Sequence, residues 1–366
     1  MRILYVATVS GTINAFLIPH IRMLIEQGHT VDIACCITNP IDQTIYKYGC
    51  KVHEISFSRS PLNNKNIIAY KELKKIISDG KYNIVHTHTP VASFVTRLVC
   101  KNIKETKVFY TAHGFHFYKG ASIKNWFVYY FIEKWLSKYT DTLITINKED
   151  FERAKKKLKA KRIEYIPGVG LEVEKFMNIK VDKLRKRNEI GVPKDAFTIL
   201  SVGELNKNKN HEVVIRAFAK LNNSNLHYVI CGKGTIEPAL KILASDLNVG
   251  DRVHLLGFRA DIAEICKSSD LFVFPSFREG LPVSMMEAMA TGLPVICSDI
   301  RGNVDLISDQ EGSFLFNPID AEQLAIHISK VIEDDNIRIK MGTTNKKRIQ
   351  KYSLSNVLEK IKMIYK

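Results

Sequence analysis

Two glutamates, Glu279 and Glu287, are separated by seven residues in the stretch FPSFREGLPVSMMEAMATGLPVICSD, residues 274–299. The stretch reads as a strand end, a loop, a helix and a further strand. Residues 271–274 are a compact apolar run, Pro282 suits the first helical position, Gly292 suits the C-terminal stop, and Pro294 blocks continuation. The helix therefore opens just after Glu279 and Gly280. Its first backbone N–H groups lack partners within the helix, and with the helix dipole they attract a phosphate or other anion. Helical side chains tilt toward the N-terminus, so Glu287 reaches back toward that point while Glu279 approaches from the loop. Carboxylates repel phosphates; their chemistry there is to accept hydrogen bonds from hydroxyl groups of a sugar or ribose. A sugar nucleotide carries both kinds of group. One glutamate on a surface helix is ordinarily just solvated, and it is the fixed spacing inside Pro275-Ser276-x-x-Glu279-Gly280 that sets this pair apart.

That frame resembles the signature of the retaining glycosyltransferases of family 4. The resemblance implies an α/β, GT-B fold: two doubly wound Rossmann-like domains facing across a cleft, with a C-terminal helix crossing back to the first. It also implies roles. Glu279 would orient the hydroxyls of the donor sugar and Glu287 would bind the ribose. The segment SVGELNKNKN (201–210) resembles the one in which an Arg and, five positions on, a Lys grip the donor diphosphate. Lys209 holds the Lys position, but Glu204 stands where Arg is usual. A carboxylate cannot ligate phosphate, so that contact falls to Lys209, with Lys207 or Arg278 as substitutes. Gly257 and Phe258 lie about where family members hold the nucleobase through backbone groups. In TAHGFHFYKG (111–120), His113 matches the active-site histidine that faces the donor sugar, and His116 lies further into the loop toward the acceptor.

Strand and helix alternation supplies the frame. RILYVAT (2–8) reads as a buried strand, followed by Ser10-Gly11-Thr12 and an amphipathic segment to Gln27. Pro19 favours a helix start near Ile18. Gly11 would let a ligand approach the backbone closely, although most turn glycines serve only the turn. Further units are a helix over 67–79, strand 83–89, a helix over 92–100 and strand 107–114. His86, His88 and His113 fall at strand ends, where open α/β sheets bind ligands; His88 is assigned with His116 to the acceptor side. Residues 126–136, WFVYYFIEKWL, form an aromatic helix pattern whose expected use is core packing, with lipid or membrane contact as the alternative. Pro and two Gly interrupt the rhythm in 166–176, which places a boundary near Gly170. The expected domains are an acceptor-binding domain over 1–170, a nucleotide-sugar-binding domain over 171–350, and a helix over 351–366 packing on the first. The second half runs through strands at 197–203, 226–234 and 252–257, a short helix from Asp261, an apolar piece at 312–316 and a helix over 321–333. Gly232-Lys233-Gly234 is an incomplete dinucleotide fingerprint, lacking the third glycine.

At 366 residues the chain suits two domains. Its 45% hydrophobic and 25% charged residues are those of an ordinary globular protein. There is neither a membrane-length apolar run nor a signal-peptide pattern, so the expected location is cytoplasmic and peripheral on the inner face of the membrane. Seven Cys without a Cys-x-x-Cys pair read as reduced core thiols. The net charge of +16 is uneven: residues 1–170 hold 26 Lys+Arg against 13 Asp+Glu. A basic first half suggests an anionic partner such as an anionic membrane surface. A nucleic-acid partner would need aromatics interleaved with the basic runs near Lys155 and Lys183, which offer only Phe151, so none is expected.

The reading is a retaining glycosyltransferase that moves a sugar from a nucleotide diphosphate donor, a UDP-sugar, to a polyprenyl-diphosphate-linked saccharide in capsule or exopolysaccharide synthesis. No Asp-x-Asp pair occurs, so no metal or other cofactor is expected. The nearest rival is a sugar-nucleotide epimerase of the same fold, which would turn over its substrate with no acceptor present.

Overall fold

The computed structural model describes residues 1–307 and 313–366. The chain divides into two compact units, Met1–Gly170 with Ser355–Lys366, and Leu171–Leu354.

The first unit is a seven-stranded sheet built from β1 (Arg2–Val9), β2 (Thr30–Cys36), β3 (Val52–Glu54), β4 (Ile84–His88), β5 (Lys107–Ala112), β6 (Thr142–Thr145) and β7 (Arg162–Tyr165). All pairs are parallel, in the order β3-β2-β1-β4-β5-β6-β7. Parallel strands are covered on both faces, which is why β1 reads as a near-continuous apolar run and why all five residues of β4, its two histidines included, are buried. Leu73, Ile77, Val95 and Val99, from the helices Lys65–Gly80 and Pro90–Cys100, pack on Leu4, Val6, Val85 and Val108. From the C-terminal helix Leu354–Tyr365, the buried Tyr365 hydroxyl meets His86 Nδ1 at 2.5 Å and donates to Tyr5 Oη at 3.2 Å.

The second unit has six parallel strands, β8 (Phe197–Val202), β9 (Leu226–Cys231), β10 (Val253–Leu255), β11 (Leu271–Phe274), β12 (Val295–Ser298) and β13 (Ser313–Phe316). Their order is β10-β9-β8-β11-β12-β13. Gly312, expected in the last strand, lies outside the described residues. The order reverses direction between β1 and β4 in one unit and between β8 and β11 in the other. At such switch points the two loops leaving the strand ends diverge and open a crevice.

Two elements contain a π-turn. Helix starts at Ser10, directly off β1, and runs through a π-turn at Ile13–Leu17 into Ile18–Glu26. Pro19 thus occupies the first turn of Ile18–Glu26, as expected, and the widened turn before it accommodates the missing N–H. The aromatic segment also contains a π-turn, Trp126–Tyr130, before the helix Phe131–Leu136. Trp126, Tyr129 and Tyr130 pack against Phe115 and Phe117. Phe127 and Phe131, however, are 71% and 55% exposed, so half of the expected core face looks outward. All seven cysteines are free, and six are buried.

Candidate active site

In the second unit the switch point is formed by the loop after β8, which carries Lys209, and the loop after β11, which carries Arg278, Glu279, Gly280 and Leu281. Asparagines join the two loops. Asn208 accepts from the Phe277 N–H at 2.8 Å and donates from Nδ2 to the Arg278 carbonyl at 3.0 Å. Asn210, in the left-handed region at φ 54°, donates to the carbonyls of Pro275 and Pro318. Asn tolerates that backbone better than most residues. With the asparagines committed to the backbone, Lys209 extends its ammonium to Glu279 Oε1 at 2.7 Å and over the Phe274 ring at 4.8 Å. Glu204 and Lys207 are exposed on the same loop.

Glycines bring the neighbouring backbones together. A Cβ on Gly302, whose φ is 84°, would lie 2.4 Å from the Gly280 carbonyl oxygen. A Cβ on Gly232 would lie 1.9 Å from the Gly203 oxygen, and one on Gly234 2.1 Å from the Leu205 oxygen. The Gly232 and Gly234 pair is thus required for loop packing. Arg301, adjacent to Gly302 and 6% exposed, donates from Nε to the Glu279 carbonyl at 3.0 Å. Its guanidinium fixes the loop that carries Glu279, a role signalled in the sequence only by Arg-Gly at a strand end.

The helix of this site is Val283–Thr291, with Pro282 at the N-cap rather than inside the first turn, and Gly292 in the left-handed C-terminal position at φ 87°. Glu287 is partly buried and accepts no hydrogen bond from the described residues. Burial raises its carboxyl to about 7, against a smaller downward pull from Lys175. Gly257 accepts from the Gly232 N–H at 2.7 Å, which places the turn after β10 beside the turn after β9. Phe258, next in sequence, is 74% exposed.

In the first unit His113 follows β5, and its Nε2 lies 3.2 Å from His88 Nδ1. Burial lowers His113 to about 4, with nearby His20 lowering it further, so the ring is neutral at pH 7. His88, expected on the acceptor side, has its ring 1% exposed and stacked against Tyr5. The reason is its place at the end of β4, a central strand covered on both faces. His88 Nε2 is buried without a partner among the described residues. A bare acceptor costs less there than an orphan N–H, so His88 Nδ1 carries the proton and donates to His113 Nε2. That leaves His113 Nδ1–H as a donor. His20, absent from the sequence-based set, is also buried, with Nε2 at 2.8 Å from the Val169 carbonyl. His116 stacks on Tyr129 at 4.6 Å. Gly11 sits in the first helical turn after β1, and a Cβ there would meet nothing within 4 Å. The surrounding chain imposes no need for glycine at that position.

Residues 2–147 match the family described as glycosyl transferase 4-like, and residues 182–348 match glycosyl transferases group 1. A Bacillus subtilis (strain 168) protein named "Putative glycosyltransferase EpsD" is 37% identical over 370 residues, covering 100% of this chain and 96% of that one. The Escherichia coli UDP-Gal:alpha-D-GlcNAc-diphosphoundecaprenol alpha-1,3-galactosyltransferase is 32% identical over 316 residues, 82% of this chain and 81% of its own. Among solved structures, sucrose-phosphate synthase from Thermosynechococcus elongatus superposes with a TM-score of 0.85 at 19% identity, covering 100% of this chain and 98% of that one. That likeness shows the shared fold.

Proposed function

The chain belongs to the glycosyltransferases, and from that premise we propose that it moves a sugar from a UDP-sugar to a saccharide carried on a polyprenyl diphosphate, with retention at the anomeric carbon. The product would enter a capsule or exopolysaccharide. The observation that carries this reading is the Lys209–Glu279 ion pair at the β8/β11 switch point, beside the start of the helix Val283–Thr291. Departure of the leaving group breaks the anomeric C–O bond and places its electron pair on the diphosphate. Lys209 and the unpaired N–H groups at the helix start stabilise that charge. A diphosphate draws the ammonium of Lys209 away from Glu279, which frees the carboxylate to accept hydrogen bonds from the donor-sugar hydroxyls. Glu287 receives the ribose hydroxyls, and backbone groups of Gly257 and Phe258 meet the base. Arg278, Gly280, Leu281 and Gly11 lie along the donor, and His113 donates a hydrogen bond to the transferred sugar. His116 lies on the acceptor side. These groups meet the diphosphate charge in this scheme without a resident metal.

The E. coli relative supports this choice of donor and acceptor, because its name specifies UDP-Gal and a diphosphoundecaprenol-linked sugar. Thermal shift with a nucleoside diphosphate panel is the test, since a ligand that binds only the folded state raises the melting temperature. UDP should stabilise the protein more than GDP or dTDP, and a matching UDP-sugar should then label an undecaprenyl-diphosphate-linked saccharide. Absence of stabilisation by every nucleoside diphosphate would overturn the proposal. An epimer formed from the UDP-sugar alone would favour the epimerase.

A further inference from the structure

The first unit contains a cavity of about 510 Å³ that none of the donor chemistry uses. Val95, Tyr110, Phe115, Phe117 and Leu136, all at most 5% exposed, form its deep walls. The only charges in the lining, Arg97 and Glu133, are paired with each other through two hydrogen bonds, and Arg97 also lies 4.4 Å over the Tyr110 ring. A saccharide would therefore find almost no free polar group at depth. Polar residues, Asn63 and Asn64, lie at the exposed rim beside Leu62 and Ile67, which are 94% and 60% exposed. An apolar cavity of ~150 Å³ accommodates one benzene, so this one has room for roughly three groups of that size.

We propose that this cavity holds the first isoprene units of the acceptor's polyprenyl chain; the proposal rests on the lipid-linked acceptor inferred above. Three observations select that occupant. Gly114 and His116 are part of the lining, so the cavity adjoins the loop that carries His113, and a chain lodged there would keep its diphosphate near that loop. Ile132 lies at the opening on the same segment as the outward-facing Phe127 and Phe131, which continues the apolar surface from cavity to exterior. That segment is flanked by exposed Lys119, Lys124 and Lys138. Apolar residues ringed by lysine suit the interface of an anionic bilayer, where such a chain would come from.

Calorimetric titration of the full chain with farnesyl diphosphate, dimethylallyl diphosphate and inorganic pyrophosphate, below the micellar range, tests the proposal. The fifteen-carbon probe should bind at least tenfold tighter than the five-carbon one, which should bind about as well as pyrophosphate. Ile132→Trp and Ile67→Trp, both at the partly exposed opening, should bring farnesyl affinity down to the dimethylallyl value with melting temperature unchanged. Equal affinities for the two prenyl diphosphates in the unaltered protein overturn the proposal, without relying on any variant. Dodecyl phosphate binding as tightly as farnesyl diphosphate overturns the prenyl assignment in favour of a phospholipid chain. Stabilisation by UDP, measured on the same samples, separates the two readings. UDP binding without a chain-length preference removes only the lipid subsite, and the converse removes the proposed donor.

Discussion

Glu287 sits where its surroundings and its proposed task oppose one another. Burial raises the carboxyl to about 7, which favours the protonated form, whereas ribose hydroxyls would hydrogen-bond best to the ionised one. Between about pH 4.5 and pH 7 the folded protein holds a proton at Glu287 that the unfolded chain has released. Its contribution to stability is therefore present at acidic pH and lost as pH rises through 7. Glu287→Gln should raise the melting temperature relative to the unaltered protein at pH 8 and change it little at pH 5, as thermal unfolding at the two values will reveal. Glu287→Ala should weaken UDP binding by about 1–3 kcal/mol, the cost of unpaired ribose groups; unchanged calorimetric affinity would remove the ribose role. His113 makes a different prediction. Because its ring is neutral down to about pH 4, it serves as a hydrogen-bond donor and not as a cation at neutral pH. His113→Ala should lower kcat by roughly 10²-fold or more, the low end of what a positioned proton-transferring or donating group supplies, with UDP affinity unchanged. Steady-state kinetics beside calorimetry checks it, and equal losses in both would assign His113 to ground-state binding.

Among the elements, the loops carry the site and the glycines decide whether those loops can meet. Gly302 has a positive φ and faces the Gly280 carbonyl at a distance no Cβ can share. Gly302→Ala should cost about 1–3 kcal/mol of stability through strain and weaken nucleotide binding, because Gly280 opens the path to the helix start. Thermal unfolding and UDP titration of the variant will show both losses; full UDP affinity would detach this loop from the donor site. Several of these features were legible in the chain itself. Continuous apolar runs announced the strands, and the Pro-Ser-x-x-Glu-Gly frame located the loop after β11. Other features depend on three-dimensional context. The depth of His88 follows from β4 being central, which alternation along one strand cannot reveal. The exposed face at Phe127 and Phe131 carries the same residue types as a buried one. The helix Asp335–Ile349 has no clear apolar stripe in sequence because its buried face, Met341, Gly342, Asn345 and Ile349, mixes apolar residues with a glycine and an asparagine; a Cβ at Gly342 would lie 2.3 Å from the Gly292 oxygen. Arg301 has the sequence surroundings of any loop arginine, and only the folded chain brings its Nε to the Glu279 carbonyl.

For the molecule as a whole, charge distribution and exposed aromatics make one joint prediction. No helix among the described residues is long and apolar enough to cross a membrane; the acceptor proposed above would be met at a bilayer surface. Residues 1–170 carry twice as many basic as acidic side chains, including the exposed Lys155, Lys156 and Lys157. Each lysine near an anionic bilayer contributes about 1 kcal/mol, an attraction that fades as the screening length falls from ~10 Å at 0.1 M salt to ~3 Å at 1 M. Phe127 and Phe131 add apolar burial, which salt does not screen. Stable anchoring generally takes two such signals acting together. Co-sedimentation with phosphatidylserine-containing vesicles should therefore be extensive at low salt and partial at 1 M, with phosphatidylcholine vesicles retaining about that same partial fraction at either salt concentration. In Phe127→Ser/Phe131→Ser the salt-resistant fraction should disappear while low-salt binding persists in weakened form, because the lysines are untouched. If the double variant sediments like the unaltered chain at both salt concentrations, the aromatic face is not at the lipid surface, and the lysines alone account for the binding.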